Sequence, residues 1–280
     1  MLGLPESIGR TDSILSFPSL LPSLPSAGGP DFSPNAASHS KASKECKTKE
    51  TFMMKALVIF AHPDDAEGSC GGTTAKWVRE GKTIHYLVIT NGDKGTDDPS
   101  MTSVRLAGIR EKEQEAAAKV LGVSDVTFLR VPDGELENSL LLRREIVRLI
   151  RRHQPDIIFT HDPWRLYQLH PDHRATGFLA LDAMIGAGDR LHYPDHWGEG
   201  LKPWRVQEAL LFGTEDADFW VDISESFELK LQAVRCHQSQ GLHSPAVQER
   251  IRNRASEAGK TQGYLYGEAF KKIERPSFPL

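Results

Sequence analysis

The 280-residue chain has a formal net charge of −4, with 39% hydrophobic and 26% charged residues, as in an ordinary globular protein. This balance argues against a nucleic-acid-binding protein, which would usually present a basic face. The three cysteines, Cys46, Cys70 and Cys236, are too few and too scattered for a disulfide framework. No apolar run approaches the roughly 18 residues that a membrane-spanning helix needs. We therefore expect a cytoplasmic chain with no membrane span and no nucleic-acid partner.

Residues 1–53 differ from the rest of the chain because they are rich in serine and proline and have no helical or strand periodicity. Such a composition predicts a disordered extension. Two alternatives stay open: a serine-rich transit peptide, or translation that begins at Met53 or Met54 and leaves the extension out of the native product. Residues 54–280 are predicted to form one folded domain.

From Lys55 onward, short apolar runs alternate with helical segments. The first predicted strand is apolar throughout, as expected of a strand buried on both faces of a parallel sheet. Strands are predicted at 56–60, 83–90, 126–129, 157–160 and 209–212, and helices at 74–80, 105–121, 140–153 and 227–236. Gly122 is placed to stop the second helix. This alternation predicts an α/β protein with a Rossmann-like three-layer fold around a mostly parallel sheet.

Histidines and aspartates follow two of these strands. The first strand is followed by AHPDDAE at 61–67, and the strand at 157–160 by HDP at 161–163 and then HPDH at 170–173. In an open parallel sheet, ligands bind beyond the carboxyl ends of the strands. We therefore expect the active site at this edge of the sheet.

The pattern is typical of a zinc hydrolase. Zinc in such enzymes usually has three nitrogen or oxygen ligands from the protein and one open position for water. His62, one aspartate of the pair Asp64 and Asp65, and one histidine of the pair His170 and His173 would supply the ligands. The remaining aspartate would act as a general base, and the remaining histidine as an acid or an oxyanion stabiliser.

Each motif on its own also has a plainer interpretation. An isolated HPDD segment favours a turn. The glycine fingerprint of a nicotinamide-binding site is absent, because the turn after the first strand reads HPDDAEGSCGG. Gly71 and Gly72 suit a tight entry into a helix, Cys70 is expected to be a buried thiol, and His237 is expected to cap the end of a helix.

Taken together, the motifs closely resemble those of the PIG-L / LmbE-like deacetylase family. The resemblance is carried by residues 61–67, by HPDH at 170–173 and by HQSQ at 237–240, and it runs from about Lys55 to at least Gln240. Members of this family remove the N-acetyl group from N-acetylglucosaminyl conjugates. The resemblance implies a zinc-dependent N-deacetylase that holds one zinc ion per chain and acts on a small-molecule amino-sugar conjugate.

The resemblance also assigns individual roles that the residues alone left open. It implies that His62, Asp65 and His173 bind zinc. Asp64 is then the general base. His170 would stabilise the tetrahedral oxyanion or protonate the leaving amine.

Arg110 and Glu111 match an Arg-Glu pair that lies near the sugar in the family, whereas composition alone describes them as a solvated helical face. The loop at 90–95 follows a strand and is a further candidate for substrate contact. Two other functions stay open: an amidase that cleaves a larger acyl group or a thiol conjugate of an amino sugar, and a non-catalytic sugar-binding module. The oligomeric state is also open, a homo-oligomer included.

Overall fold

The structure, a computed structural model, describes residues 53–275. The disordered extension predicted at residues 1–53 therefore lies outside the described residues, apart from Met53. In the part of the chain that is described, no helix has both the length and the apolar character needed to cross a membrane.

One sheet of seven strands forms the middle layer. Its strands are β1 (Lys55–Phe60), β2 (Thr83–Thr90), β3 (Asp125–Val131), β4 (Ile157–His161), β5 (Glu208–Phe212), β6 (Phe219–Asp222) and β7 (Gly267–Glu274). Their order across the sheet is β3-β2-β1-β4-β5-β7-β6. The first five strands pair in parallel, whereas β7 runs antiparallel to both β5 and β6.

Helices cover both faces of the sheet. They are α1 (Asp65–Arg79), α2 (Ser103–Leu121), α3 (Leu140–His153), α4 (Pro171–Gly188), α5 (Phe227–Arg235) and α6 (Pro245–Lys260). Successive residues of a strand point to opposite faces. Val58 and Phe60 of β1 accordingly pack in the core with α1, α2 and α5, whereas Leu57 and Ile59 pack in the core with α3 and α4. The prediction of a three-layer α/β fold with a mostly parallel sheet is confirmed.

Most of the predicted elements are present, some with different ends. The strand predicted at 83–90 and the helix predicted at 140–153 match β2 and α3 to the residue. Gly122 ends α2 with a left-handed φ of 77°, as predicted. The helix predicted at 74–80 is only the second half of α1. The sequence did not predict β6, β7, α6 or the extent of α4.

The first half of α1 was not predicted from the sequence because it contains glycines. Glycine is about 1 kcal/mol less favourable than alanine inside a helix. The position of Gly72 has a different cause from the tight helix entry that was predicted. A Cβ atom on Gly72 would lie 2.6 Å from the side chain of Ile223. Gly72 therefore lets α1 approach the segment that leads into α5, and the packing energy outweighs the low helix propensity.

Near its middle, α1 lacks a regular backbone hydrogen bond, and a buried ion pair binds the two backbone groups that would have formed it. The helix is kinked at Cys70, which has a φ of −134°. In a regular helix the N–H of Gly72 would donate to the carbonyl of Gly68. Here the N–H of Gly72 donates to Glu268 at 3.0 Å, and the carbonyl of Gly68 accepts from Lys230 at 2.9 Å. Lys230 and Glu268 also pair with each other, so both backbone groups at the kink are satisfied.

Gly72→Ala is expected to lower the free energy of unfolding by about 1–3 kcal/mol, because the added methyl group overpacks the contact with Ile223. Gly108→Ala is the matched control, since Gly108 lies in α2 with nothing within 4 Å of its Cβ position. That change should be neutral or stabilise by up to about 1 kcal/mol. Urea unfolding of both variants measures the difference. Equal stability of Gly72→Ala and the unaltered chain would mean that α1 moves away from Ile223 without cost.

Candidate active site

The carboxyl ends of β1 and β4 bring the predicted site residues together. The two strands are neighbours in the sheet. His62 follows β1, and α1 begins at Asp65 only three residues later. Pro171 is the first residue of α4, so His170 and His173 both lie at the start of that helix. Their rings stack with centroids 4.7 Å apart.

His62, Asp65 and His173 place three potential metal-binding groups at the corners of a small triangle. His62 Nδ1 lies 3.2 Å from His173 Nε2. Of the Asp65 carboxylate, Oδ2 lies 3.4 Å from His62 Nδ1 and Oδ1 lies 3.3 Å from His173 Nε2. Ligand atoms of a tetrahedral zinc site lie about 3.3 Å apart, given zinc–nitrogen bonds of about 2.0–2.1 Å. The three donors therefore fit a zinc ion in both chemical type and spacing.

Three other sets of three potential ligands share residues with this triangle. The sets His62–His170–His173, Asp65–His161–His173 and His62–Asp133–Asp172 each have ligand atoms within 4.8 Å of one another. Distances alone therefore do not choose among the histidines. The orientation of His62 is more informative.

Buried carboxylates fix the orientation of the His62 ring. Its Nε2 lies 3.1 Å from Asp172 and 3.2 Å from Asp133. Asp172 is fully buried and accepts backbone hydrogen bonds from Gly134 and Leu136. Burial disfavours its charge, but the hydrogen bonds from His62 and Gly134 hold the pKa of Asp172 below its usual value. Because an ionised carboxylate only accepts hydrogen bonds, Nε2 carries the proton and Nδ1 is left to bind a cation.

Without a cation, the same carboxylates favour the imidazolium form of His62. Burial lowers the pKa of this ring, but hydrogen bonds to Asp133, Asp172 and Asp65 outweigh burial and raise it to about 12. A metal ion at Nδ1 must displace a proton, as is usual when a histidine binds a metal.

Asp64 lies next to the triangle in a strained backbone conformation and is held there by Gln114 and a buried arginine. It precedes α1 with a φ of 112°, an unfavourable conformation for any residue except glycine. Its N–H donates to Gln114, and its carboxylate accepts from Arg110 at 3.1 Å. Burial raises the pKa of Asp64 to about 7, against the opposing charge of Arg110 and with added repulsion from Asp65. The side chain keeps 20% of its exposure, so it reaches the cavity described below.

A chain of buried polar groups extends behind Asp64. Gln114 donates to Glu67 at 2.8 Å, and the other oxygen of Glu67 lies 3.2 Å from His237 Nε2. Glu67 and His237 are both fully buried. The side chain of His237 therefore contacts the first turn of α1 instead of capping the end of a helix, as was predicted. Burial lowers the pKa of His237, but Glu67 more than compensates and raises it.

His170 stands at the edge of the triangle. Its ring meets that of His62 edge-on, with centroids 4.5 Å apart. Within the described residues, its buried Nδ1 has no hydrogen-bond partner. Burial, followed by the charges of His62 and His173, lowers the pKa of His170, so the ring is neutral near pH 7.

The sequence prediction assigned no role to three residues of the site: His161, Asp133 and Asp172. The ring of His161 stacks on that of His173, with centroids 4.1 Å apart, and its Nε2 lies 3.3 Å from Asp65. Burial lowers its pKa to about 4. Their signal in the sequence is position: His161 ends β4, Asp133 follows β3, and Asp172 lies between the two predicted histidines.

Arg110 and Glu111 have different surroundings. Arg110 is only 3% exposed, so the interpretation as a solvated helical face does not hold for it. It donates to the carbonyls of Pro63 and Gly92 as well as to Asp64. Glu111 forms an exposed ion pair with Arg130 at 2.7 Å. Substrate contact by either residue stays a prediction.

A cavity of about 620 Å³ opens beside Asp64, Asp65 and His173. It runs beneath α6 to the start of β7. The cavity is large enough for a small-molecule ligand, since such sites usually measure about 300–1,000 Å³. Asp64, Asp65 and His173 therefore face a space that a substrate can enter.

Residues 57–184 match the family described as PIG-L, GlcNAc-PI de-N-acetylase. The diacetylchitobiose deacetylase of Thermococcus kodakarensis is 36% identical to this chain over 231 residues, which cover 81% of this chain and 86% of that protein. The chain belongs to the PIG-L family. The predicted resemblance is thereby confirmed.

Two further PIG-L relatives differ in how much of the chain they match. The structure of N,N'-diacetylchitobiose deacetylase from Pyrococcus horikoshii has a TM-score of 0.74 and 36% sequence identity, covering 79% of this chain and 84% of that one. The mycothiol S-conjugate amidase of Streptomyces coelicolor is 30% identical over 182 residues, covering 56% of this chain and 60% of that protein. Deacetylases among the relatives support the predicted class of enzyme, one that removes N-acetyl groups.

Asp172→Asn is expected to weaken the binding of a divalent metal by about 10–100-fold, the usual effect of removing a carboxylate that orients a metal-binding histidine. Asp182→Asn is the control, because Asp182 lies on the same helix but pairs with Arg143 in a half-exposed position. Competition with a chromophoric chelator measures both affinities. Unchanged affinity in Asp172→Asn would contradict the assigned orientation of His62.

Proposed function

We propose that this chain is a zinc-dependent hydrolase that removes the N-acetyl group from an N-acetylglucosamine conjugate. The observation that carries the proposal is the triangle of donors formed by His62, Asp65 and His173 beside the carboxylate of Asp64. Membership of the PIG-L family supports the reaction. The diacetylchitobiose deacetylases among its relatives support the amino-sugar substrate.

His62, Asp65 and His173 would hold one zinc ion per chain. When bound, zinc would make water more acidic and would polarise the carbonyl group of the substrate. The protein supports this role through Asp172 and Asp133, which turn the free nitrogen of His62 toward the other two donors.

Asp64 acts as the general base. Its raised pKa lets it accept a proton from the attacking water near neutral pH, while Arg110 keeps the carboxylate in place. The water oxygen adds to the carbonyl carbon and a tetrahedral oxyanion forms. Asp64 then returns the proton to the amine nitrogen as the carbon–nitrogen bond breaks, which releases acetate and the free amino sugar.

His170 acts on the oxyanion. A lowered pKa keeps the ring neutral, so an N–H group of the ring donates a hydrogen bond to the developing negative charge. This favours stabilisation of the oxyanion over transfer of a proton from His170 to the leaving amine. The NH1 and NH2 atoms of Arg110 donate hydrogen bonds to other groups of the protein. We therefore assign Arg110 the role of positioning Asp64.

The second candidate function is an amidase that releases a larger acyl group or a thiol conjugate. The cavity beside Asp64 exceeds the volume that an acetyl group needs, and the mycothiol S-conjugate amidase relative favours the same alternative. A non-catalytic sugar-binding module is disfavoured, because mere binding needs no general base next to three metal-binding donors. The cytoplasmic location and a homo-oligomer stay predictions.

The decisive experiment is release of free amine from N-acetylglucosamine conjugates, with and without added zinc. N,N'-Diacetylchitobiose tests the proposed reaction, and matched glucosamine conjugates that carry longer acyl groups test the amidase. Zinc-dependent release from the acetyl substrate alone supports the deacetylase. Release from neither group of substrates would contradict both candidate functions.

Asp64→Asn and Asp65→Asn should separate the base from the metal ligand. Asp64→Asn should keep zinc bound and lower kcat by about 10²–10⁴-fold, the usual contribution of a general base. Asp65→Asn should instead lose zinc, because an amide is a poorer ligand than a carboxylate. Metal content and kcat of each purified variant measure the two effects. Loss of zinc from Asp64→Asn, with zinc retained by Asp65→Asn, would reverse the two roles.

The rate should fall at acidic pH, because only ionised Asp64 accepts a proton. Its pKa is raised to about 7 without a metal, and a nearby dication would lower it, so the midpoint of the zinc-loaded enzyme should lie at or below pH 7. The profile of kcat/KM against pH, with zinc content checked at each point, measures this limb. Its survival in Asp64→Asn would assign the limb to another group.

A further inference from the structure

Two histidines and an aspartate meet near the amino ends of β2 and β3, at the edge of the sheet opposite the proposed active site. They are His85, Asp125 and His153. Each offers one potential ligand atom, and the three atoms lie within 4.8 Å of one another. Among the described residues, this set of potential ligands shares no member with the proposed active site. The cluster therefore needs an explanation of its own.

The sheet places His85 and Asp125 side by side. His85 is the third residue of β2, Asp125 is the first residue of β3, and the two are directly paired in the parallel register. Their side chains therefore project to the same face of the sheet. Leu87 and Ile89 alternate with His85 along β2 and pack in the core with α3 and α4. The imidazole of His85 and the carboxylate of Asp125 thus lie on the α3 side of the sheet.

The end of α3 brings the third group to the same face. His153 is the last residue of α3, and its ring packs against that of His85 with centroids 4.2 Å apart. Gln154 ends the helix in a left-handed conformation with a φ of 53°. The last carbonyl groups of a helix carry a partial negative charge, which favours a cation beside them. Three separate elements therefore bring their donors together where a cation is favoured.

The donors have the chemical type of a zinc site. Zinc binds imidazole nitrogens and carboxylate oxygens at about 2.0–2.2 Å, and two histidines with one carboxylate are among its usual sets. Asp125 is exposed, and both histidines are only partly buried. Small rotations of these side chains are enough to bring the three donors within bonding distance of one ion.

Both rings are in the form that binds metal. Burial lowers the pKa of His85, and burial with the charge of His85 lowers the pKa of His153 to about 4. The charges of Arg152 and Lys55 act on His153 in the same direction, whereas Asp125 opposes them. Neutral imidazoles bind a metal without releasing a proton.

One nitrogen of the pair has no use within the protein. Among the described residues, His85 Nδ1 is buried and has no hydrogen-bond partner. Buried polar atoms in folded proteins are nearly always paired. A metal ion shared with the neighbouring donors would provide the missing partner.

We propose that His85, Asp125 and His153 bind a second zinc ion, which ties the end of α3 to β2 and to the edge strand β3. None of the three residues lines the cavity beside Asp64. The role of the ion is therefore structural, and it stabilises the folded chain because an ion that binds only the folded state raises the free energy of unfolding.

Titration of the metal-free chain with zinc, in competition with a chromophoric chelator, counts the sites. We expect two equivalents in the unaltered chain and one in Asp65→Asn, which lacks a ligand of the proposed active site. His153→Gln should lower the affinity of the second site by at least about tenfold, since even removing a group that only orients a ligand costs about 10–100-fold. Asp65→Asn combined with His153→Gln should bind no zinc.

His192→Gln is the matched control. His192 is a half-exposed histidine that pairs with Asp189 at 3.2 Å, and in the described part of the chain it belongs to no set of three potential ligands. This variant should keep both equivalents. Melting temperatures measured without zinc verify that the variants are folded, and kcat of His153→Gln should be unchanged. Asp125→Asn, a change of nearly equal shape at an exposed position, repeats the test if His153→Gln fails to fold.

NMR spectra of the imidazole nitrogens locate the ion. Added zinc should shift the resonances of His85 and His153 together in Asp65→Asn, and should leave that of His192 unchanged. Because the second ion would add to the metal content of any variant, Asp64→Asn and Asp65→Asn are best compared in the His153→Gln background.

Equal zinc stoichiometry and affinity in the unaltered chain and in folded His153→Gln or Asp125→Asn, or no zinc binding by the unaltered chain, would overturn the second site. This failure is distinct from failure of the proposed function. Loss of one equivalent in Asp65→Asn and of none in His153→Gln leaves the proposed active site intact and removes the second site. Loss of one equivalent in His153→Gln, with no release of free amine from any substrate by the unaltered chain, does the reverse.

Discussion

The contact between His62 and Asp172 is the constraint on which the site depends. Asp172 is fully buried, so its charge is tolerated only because His62 and two backbone N–H groups of the loop after β3 donate to it. In return, the carboxylate decides which nitrogen of His62 faces Asp65 and His173. One buried charge thus links the end of β1, the loop after β3 and the start of α4. Any change in this contact alters the position of a proposed metal ligand as well as the local packing.

The carboxylates of Asp64 and Asp65 lie at the start of α1, where the backbone is strained at Asp64. Asp64 adopts a left-handed conformation, and Gln114 and Arg110 hold it there through its N–H and its side chain. These contacts offset a conformational cost of about 1–3 kcal/mol. The helix that follows is broken at Cys70 and is held by a buried ion pair instead of its own hydrogen bonds.

The sequence predicted most of the parallel half of the fold, because those elements have a clear period. β2 and α3 match to the residue, since each has strong apolar patterning and a definite end. β7 carries Lys271 and Lys272 and runs antiparallel, so it lacks the continuous apolar run that identified β1. The start of α1 was not predicted because glycines interrupt its helical pattern, and Gly72 is there for a contact with the distant Ile223.

The candidate site was predicted only in part, because local position identifies some of its residues and tertiary packing brings in the others. Residues next to a strand end, such as His62 and Asp65, are identified by their position and chemical type. The function of Asp133 depends on its contact with His62, which lies 71 positions earlier in the chain and is brought near only by the sheet order. Glu67 and His237 meet across an even longer separation. Such contacts come from tertiary packing, and no local pattern in a single sequence encodes them.

The ion pair between Lys230 and Glu268, which binds backbone groups of α1, ties the family-matched segment to the last third of the chain. Gly68 and Gly72 lie within residues 57–184, whereas Lys230 and Glu268 lie beyond them. A chimera that joined the first part of this chain to the last third of a relative would have to carry both charges together. Supplying only one would leave a lone buried ion, a loss of about 3–5 kcal/mol. The two parts of the domain are therefore not exchangeable modules, although the family match covers only residues 57–184.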